Sequence, residues 1–270
     1  MLPSPRLARF LIVVALAALW ELMPRAGLIS PLFLPPMSAT LAAGIGNLGE
    51  YVQHLGVTLT EAATAVLFAC GGGILAGTIV GSVGPLRRLL APLLSSLYAV
   101  PLIVLYPLFT AWFGIGPESK IAFAATYGFF PTALGTAAGI QTIDPQLVLA
   151  ARSMGATLAQ RIFRVVIPAA VPTILSGLRL GGALTIVGVV VSEMLVSSAG
   201  IGFLISKYRS TLDSPRVFAA ILLVLGIAVG FDALMQVLER RTMRWRTVGR
   251  RADRAGSGAA PEDAAVVRGV

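Results

Sequence analysis

Charged residues are scarce in this chain: Asp, Glu, Lys and Arg make up 12% of its 270 residues, against roughly 25% in ordinary soluble domains. That shortage excludes a soluble enzyme and a disordered scaffold, because neither hides so much apolar surface from water. Cysteine is nearly absent as well. Cys70 stands alone, so no intrachain disulfide forms and cysteine usage says nothing of redox compartment. His54 is the only histidine, and a lone imidazole without a second ligand reads as a structural or solvated group, not a metal site. The phosphate-cradling pattern G-x-x-x-x-G-K-S/T is missing, so ATP hydrolysis by this chain is not expected. What is abundant is apolar: 56% hydrophobic residues and a mean hydropathy of +0.86 describe a multi-spanning α-helical membrane protein.

A helix needs roughly 20 largely apolar residues to cross the hydrocarbon core. Charge-free stretches run over 62–86, 89–117 and 121–143, and two later apolar stretches carry isolated charges. Spans are accordingly expected near 8–23, 60–84, 90–112, 121–141, 173–195 and 217–239. The first reaches spanning length if Arg9 snorkels. Arg6 and Arg9 before an apolar core also resemble the start of a secretory signal peptide, but Trp20-Glu21-Leu22-Met23 offers no small-residue cleavage site, so the segment is read as retained. With the amino terminus inside, only Arg25, Lys120, Lys207, Arg209 and Arg216 of the 21 basic residues lie on the outer side. The remainder cluster at the cytoplasmic face, a positive-inside bias that places both termini in the cytoplasm. The net charge of +9 therefore reads as topology and not as a nucleic-acid footprint.

Connections and packing signals follow. The 23–57 connection, with Pro31, Pro35 and Pro36, is expected to be extended at first and then a short amphipathic helix over about 39–54, ended by His54. Gly73, Gly77 and Gly81 form a smooth strip on one helix face, open to a moving interface or to static packing. Pro101 and Pro107 are expected to kink the third span. The residues 250–270, rich in Ala, Gly and charge, read as a disordered cytoplasmic tail.

The cytoplasmic loop over 142–168 has its own ordered chemistry. Asp144-Pro145 is an N-cap followed by proline at the first helical position. A short helix then runs to Met154, and Gly155 supplies the positive φ that ends it. Thr157 with Gln160 makes a capping box for a second helix, and Pro168 and Pro172 mark its end or a kink. Two short helices joined by a glycine elbow form a knob suited to docking in another protein's groove.

Ala150-Ala151, Gly155 four residues on, and Val165-Val166-Ile167-Pro168 closely resemble the EAA loop of bacterial ABC importer permeases. Leu149 stands where that family usually has glutamate. Leu34-Pro35-Pro36, Pro101 with Pro107-Leu108, Trp112-Phe113-Gly114-Ile115-Gly116, Gly177-Leu178-Arg179, Glu193-Met194-Leu195 and Gly200-Ile201-Gly202 are similar, in order, to the nitrate/sulfonate/taurine branch. Glu61 departs from that branch, whose members often carry a basic residue there. The resemblance implies an all-α, six-helix permease of the type I importer fold over 1–249, in a bacterial inner membrane. It implies a second, identical permease subunit, a cytoplasmic ATPase dimer, an extracytoplasmic solute-binding protein and surrounding lipid. No cofactor is implied for this chain; ATP and magnesium belong to the partner ATPase. The residues implied in ATPase coupling are Ala150, Ala151, Arg152, Gly155, Ala156, Thr157, Arg161 and Pro168. Relatives of that branch carry small anions such as sulfonates, taurine and nitrate, and also some aromatic acids and vitamin precursors.

Tyr98, Tyr106, Thr110, Thr126, Tyr127, Thr185 and Ser192 are candidate pathway hydroxyls, each with interhelical hydrogen bonding as the bland alternative. Arg179 and Asp232 each sit about 10 Å from the cytoplasmic end of their span and are expected to face one another as a structural pair, within about 8 Å. Glu193 is expected near the external end of the fifth span, as a gate or hydrogen-bond anchor. An ion-driven secondary transporter would instead call for an inverted repeat and midplane relay residues, and a membrane enzyme for convergent catalytic pairs. Neither pattern stands out in the sequence.

Overall fold

The computed structural model describes residues 5–243, and every regular element among them is helical. In chain order these are α1 (Pro5–Arg25), α2 (Met37–Gly46), α3 (Leu48–Ser82), α4 (Gly84–Tyr98), a 3-10 turn (Leu102–Leu105), α5 (Tyr106–Phe113), α6 (Pro117–Gln141), α7 (Pro145–Ser153) and α8 (Leu158–Arg161). A π-helical turn (Ile162–Val166), α9 (Ile167–Leu195), α10 (Ile201–Ser210) and α11 (Ser214–Met243) complete the order. The expected 250–270 tail lies outside the described residues.

Three helices make the centre. In lipid, apolar side chains gain little by meeting one another, so helices associate through close packing of small residues. The sequence supplies these on α3, α6 and α9. A Cβ added to Gly73 would fall 2.6 Å from Thr132 Cβ, and one on Gly81 would fall 3.0 Å from Ala137 Cα. On the other side of α6, a Cβ on Gly135 would lie 2.8 Å from Gly177 Cα. The glycine strip of α3 is therefore packed against α6 here, and α6 is the shared middle helix. Gly188 lies against Ala124 and Gly139 against Thr173, so α9 runs antiparallel to α6. The chain thus has a Glu193 end, where α2 and α10 lie, and a Gly155 end, where α7 and α8 lie.

Among the described residues, four helical stretches are long and apolar enough to cross a membrane: Leu48–Ser82, Pro117–Gln141, Leu158–Leu195 and Ser214–Thr242. The span expected near 90–112 is not one helix. Gly84–Tyr98 and Leu102–Phe113 meet at 80°. Pro101 has no N–H to continue the ladder, and its ring drives Val100 off the helical region. The break, not the expected kink, follows.

Two further expectations change. The short helix over 39–54 is replaced by α2 ending at Gly46, a break at Asn47 (φ −119°, ψ 26°) and then α3. His54 therefore lies inside a 35-residue helix, not at the end of a short one. Likewise the end or kink expected at Pro168 and Pro172 is not an end: both prolines lie in α9, and Leu158–Leu195 forms one 38-residue rod. Pro168 cannot bond the Arg164 carbonyl and crowds it; the π turn just before it absorbs that defect.

Helix α10 lacked an expectation altogether, although Ile201, Leu204, Ile205 and Tyr208 recur at helical spacing and are all buried. Helix α1 stands apart, with Phe10, Leu11, Ile12 and Val13 all exposed. Its polar end holds α2: Trp20 Nε1–H donates to the Pro35 carbonyl at 2.9 Å, and Glu21 accepts from the Ser38 N–H at 2.9 Å and hydroxyl at 2.8 Å.

Candidate functional site

The knob at the Gly155 end is built from local signals. Asp144 Oδ1 accepts from the Gln146 N–H at 2.9 Å, which caps α7. Gly155 takes φ +77°; its N–H reaches the Arg152 carbonyl at 3.0 Å, and that of Ala156 reaches Ala151 at 3.1 Å. These two bonds close the last turn of α7 on a left-handed residue. The capping box is reciprocal: Gln160 N–H donates to Thr157 Oγ1 at 3.3 Å and Thr157 N–H to Gln160 Oε1 at 2.9 Å. Val148 and Ile143 seat the knob on a cluster of Ile140, Val166, Ala170 and Ile174. Of the residues assigned to coupling, Ala151 is buried and Ala150, Arg152, Gly155, Thr157 and the neighbouring Leu149, Met154 and Leu158 are exposed. Leu149, in the position of the usual acid, is 62% exposed. Arg161 lies half-buried with no acceptor for its Nε, and Pro168 belongs to α9.

The seven pathway hydroxyls do not form one set. Thr110, Thr126, Thr185 and Ser192 donate to carbonyls of their own helices at 2.8–2.9 Å, and Tyr106 reaches the Val196 carbonyl at 3.5 Å. Tyr98 and Tyr127 line one cavity of about 240 Å³ at the break between α4 and α5, with Pro101 and Leu184.

Charged groups gather at the Glu193 end. Glu193 is fully buried and accepts from the Thr58 hydroxyl at 2.8 Å and the Gly202 N–H at 2.8 Å. One turn along α3, Glu61 pairs with Lys120 at 2.5 Å, both almost wholly buried. This partner accounts for an acid at position 61 in a chain otherwise poor in charge. Lys120 Nζ also donates to Ser197 Oγ at 3.2 Å. Nearer the surface, Lys207 Nζ lies 2.6 Å from Glu50 Oε1, and the Tyr208 hydroxyl donates to the same carboxylate. Burial, reinforced by that carboxylate, pushes the Tyr208 hydroxyl well above its ordinary pKa. Glu193 was expected near this end as a gate or hydrogen-bond anchor; its partners Thr58 and Gly202, and the Glu61–Lys120 pair, were not foreseen, because residues 58 and 193 are far apart in the chain.

Nearer the Gly155 end, between the α9 glycines that meet Gly135 and Thr132 of α6, Arg179 Nη2 lies 2.5 Å from Asp232 Oδ1, and Gln236 Nε2 donates to Asp232 Oδ2 at 2.7 Å. The pair bridges α9 and α11, on faces that are partly exposed.

A helical bundle with a broken span, a capped knob at one end and buried charge at the other is the architecture of a membrane transport component. Residues 71–244 match the family described as binding-protein-dependent transport system inner membrane component, and the chain belongs to that family. It is 33% identical over 238 residues to the putative aliphatic sulfonates transport permease protein SsuC of Bacillus subtilis (strain 168), covering 87% of this chain and 86% of that one. It is 32% identical over 240 residues to the taurine transport system permease protein TauC of Escherichia coli (strain K12), covering 86% and 87%. The fold is shared with a structure of the MetNI methionine ABC transporter in an inward-facing conformation. The TM-score is 0.67 at 17% identity, over 74% of this chain and 99% of that one.

Proposed function

We propose that the chain is the permease of an ATP-driven importer for a small anionic solute of the sulfonate or taurine class. The observation that carries the substrate is its identity of 33% and 32%, over most of its length, to permeases named for aliphatic sulfonates and taurine. In this reading six spans cross the inner membrane: α1, α3, the broken α4–α5 pair, α6, α9 and α11. The permease domain occupies 1–249, and both termini lie in the cytoplasm, the orientation the basic residues favour. Two identical copies form the path. A solute-binding protein delivers cargo at the Glu193 end, and a cytoplasmic ATPase dimer, holding ATP and magnesium, grips the α7–α8 knob. Tyr98 and Tyr127 are the pathway hydroxyls this reading favours, because they face a shared cavity. A conduit fed by a binding protein needs no strong charge of its own.

Proteoliposomes containing the chain with its ATPase and binding protein test this directly. ATP-dependent uptake of taurine or an alkanesulfonate is expected in preference to nitrate or benzoate. Equal uptake without any ATPase subunit would refute the reading. Within the knob, Gly155→Pro forces φ near −65° on a residue that sits at +77°. The variant should insert normally, yet lose most of its substrate-stimulated ATP hydrolysis, since the left-handed turn that joins the two knob helices cannot form. Unchanged stimulation would remove the knob from coupling.

A further inference from the structure

We infer that Thr58 and Glu193 are positioning residues of the transport cycle: they clasp the start of α10 to α3, and release of that clasp is a step in opening the Glu193 end of the bundle. The inference rests on the permease reading above. Helix N-termini leave backbone N–H groups without partners, and a local side chain normally caps them. Helix α10 has no such cap, because Gly200 occupies the position. Its amides are met from other elements instead. Gly200 N–H donates to His54 Nδ1 at 2.9 Å, Ile201 N–H to Thr58 Oγ1 at 2.8 Å and Gly202 N–H to Glu193 Oε2 at 2.8 Å. His54 and Thr58 lie one turn apart on α3, and Thr58 closes the set by donating to Glu193 Oε1 at 2.8 Å.

The elbow between α9 and α10 is shaped for this contact. Gly200 sits at φ +106°, and a Cβ on Gly202 would fall 2.7 Å from Glu193 Cβ. Only glycines admit the carboxylate against the backbone. Lys120 holds the other side of the elbow through Ser197, and its partner Glu61 keeps one carboxylate oxygen, Oε2, buried without a hydrogen-bond partner.

A static joint would not require these groups. Elsewhere α3, α6 and α9 meet through glycine, alanine and threonine, with no charge to desolvate, and ionisable residues inside membranes are as a rule functional. Here a buried carboxylate, Glu193, and an ammonium, Lys120 with its partner Glu61, hold the elbow that joins α9 to α10. Hydrogen bonds to backbone amides can be exchanged for water when the elbow moves, which apolar packing cannot do. The same rod that carries Glu193 in its last turn begins at the knob, so displacement of the knob reaches the clasp through continuous helix.

The experiment uses the whole transporter, the chain co-expressed with its ATPase, in proteoliposomes. Cys70→Ala removes the only native thiol, and Ile201→Cys places a reporter where the native side chain has 0% exposure. A membrane-impermeant maleimide applied from the Glu193 side should label this parent slowly without nucleotide and faster with ATP and vanadate. Thr58→Val should raise the nucleotide-free rate about tenfold, the shift expected from losing a buried hydrogen bond. It should also raise ATP hydrolysis in the absence of binding protein, and Thr58→Ser should restore both values. His54→Ala, at the half-buried rim, should move both readouts the same way by less, and it still reads the clasp if Thr58→Val does not assemble. Labelling indifferent to nucleotide in the parent would overturn the clasp; so would His54→Ala, or an assembled Thr58→Val, behaving like the parent. A parent that hydrolyses no ATP with its ATPase would instead overturn the permease reading, and the clasp with it.

Discussion

Lys120→Met is expected to destabilise the protein by about 3–5 kcal/mol, the range for breaking a buried ion pair at one partner. Lys120 and Glu61 are only 5% and 3% exposed at their side chains, so the carboxylate left behind would have neither water nor counter-charge. Its second oxygen already lacks a partner, which leaves nothing to soften the loss. The double variant Lys120→Met, Glu61→Leu removes both charges and should recover most of the stability, because well-packed apolar replacements of buried pairs are often neutral or better. Thermal inactivation in detergent, followed by size-exclusion chromatography, reads both. A single variant as stable as the parent, or a double variant worse than either single, would show that the pair is not the buried unit described.

Gly135→Val is expected to cost about 1–3 kcal/mol or more, the range for overpacking a close contact. The added atoms would meet not a flexible side chain but the backbone of Gly177, 2.8 Å from the first of them. To admit them, α6 and α9 must separate, and α6 is the helix that both α3 and α9 use. Gly226→Ala is the control. A Cβ there meets nothing within 4 Å, so only alanine's better helix preference acts, and a gain of at most about 1 kcal/mol is expected. The same thermal assay distinguishes them, and equal midpoints for the two variants would contradict the central packing.

The parts of this architecture that were readable from sequence are those whose causes are local. Asp144, Gly155 and the Thr157–Gln160 box act over two to four residues, and each takes the conformation its chemistry requires. Apolar runs located the long helices because lipid demands them. Counting charge-free residues nonetheless placed the start of α3 too late. Glu50, His54 and Glu61 look like the flank of a span, yet all three are inside the helix, held by partners on α6, on α10 and at the Gly200 elbow. The break at Pro101 shows a second limit. Proline announces a defect, but whether the helix bends or stops depends on the packing of the residues that follow it, here Leu102 and Tyr106 in a cluster with Phe123 and Phe130. The Thr58–Glu193 contact depends on a fold that brings α3 and α9 together, and no spacing rule reaches that far.

The π turn over 162–166 sets a rotational phase. Each residue of an α-helix advances about 100° around the axis, and a π turn holds one residue more than an α turn would. The face that α8 presents is therefore out of step, by that angle, with the face it would present on an unbroken α-helix leading into α9. Deleting one residue within 162–166 would let the helix rewind as regular α and bring the two back into step. Pro168, by making the wide turn favourable, thereby determines which way Arg161 and its neighbours point relative to the bundle.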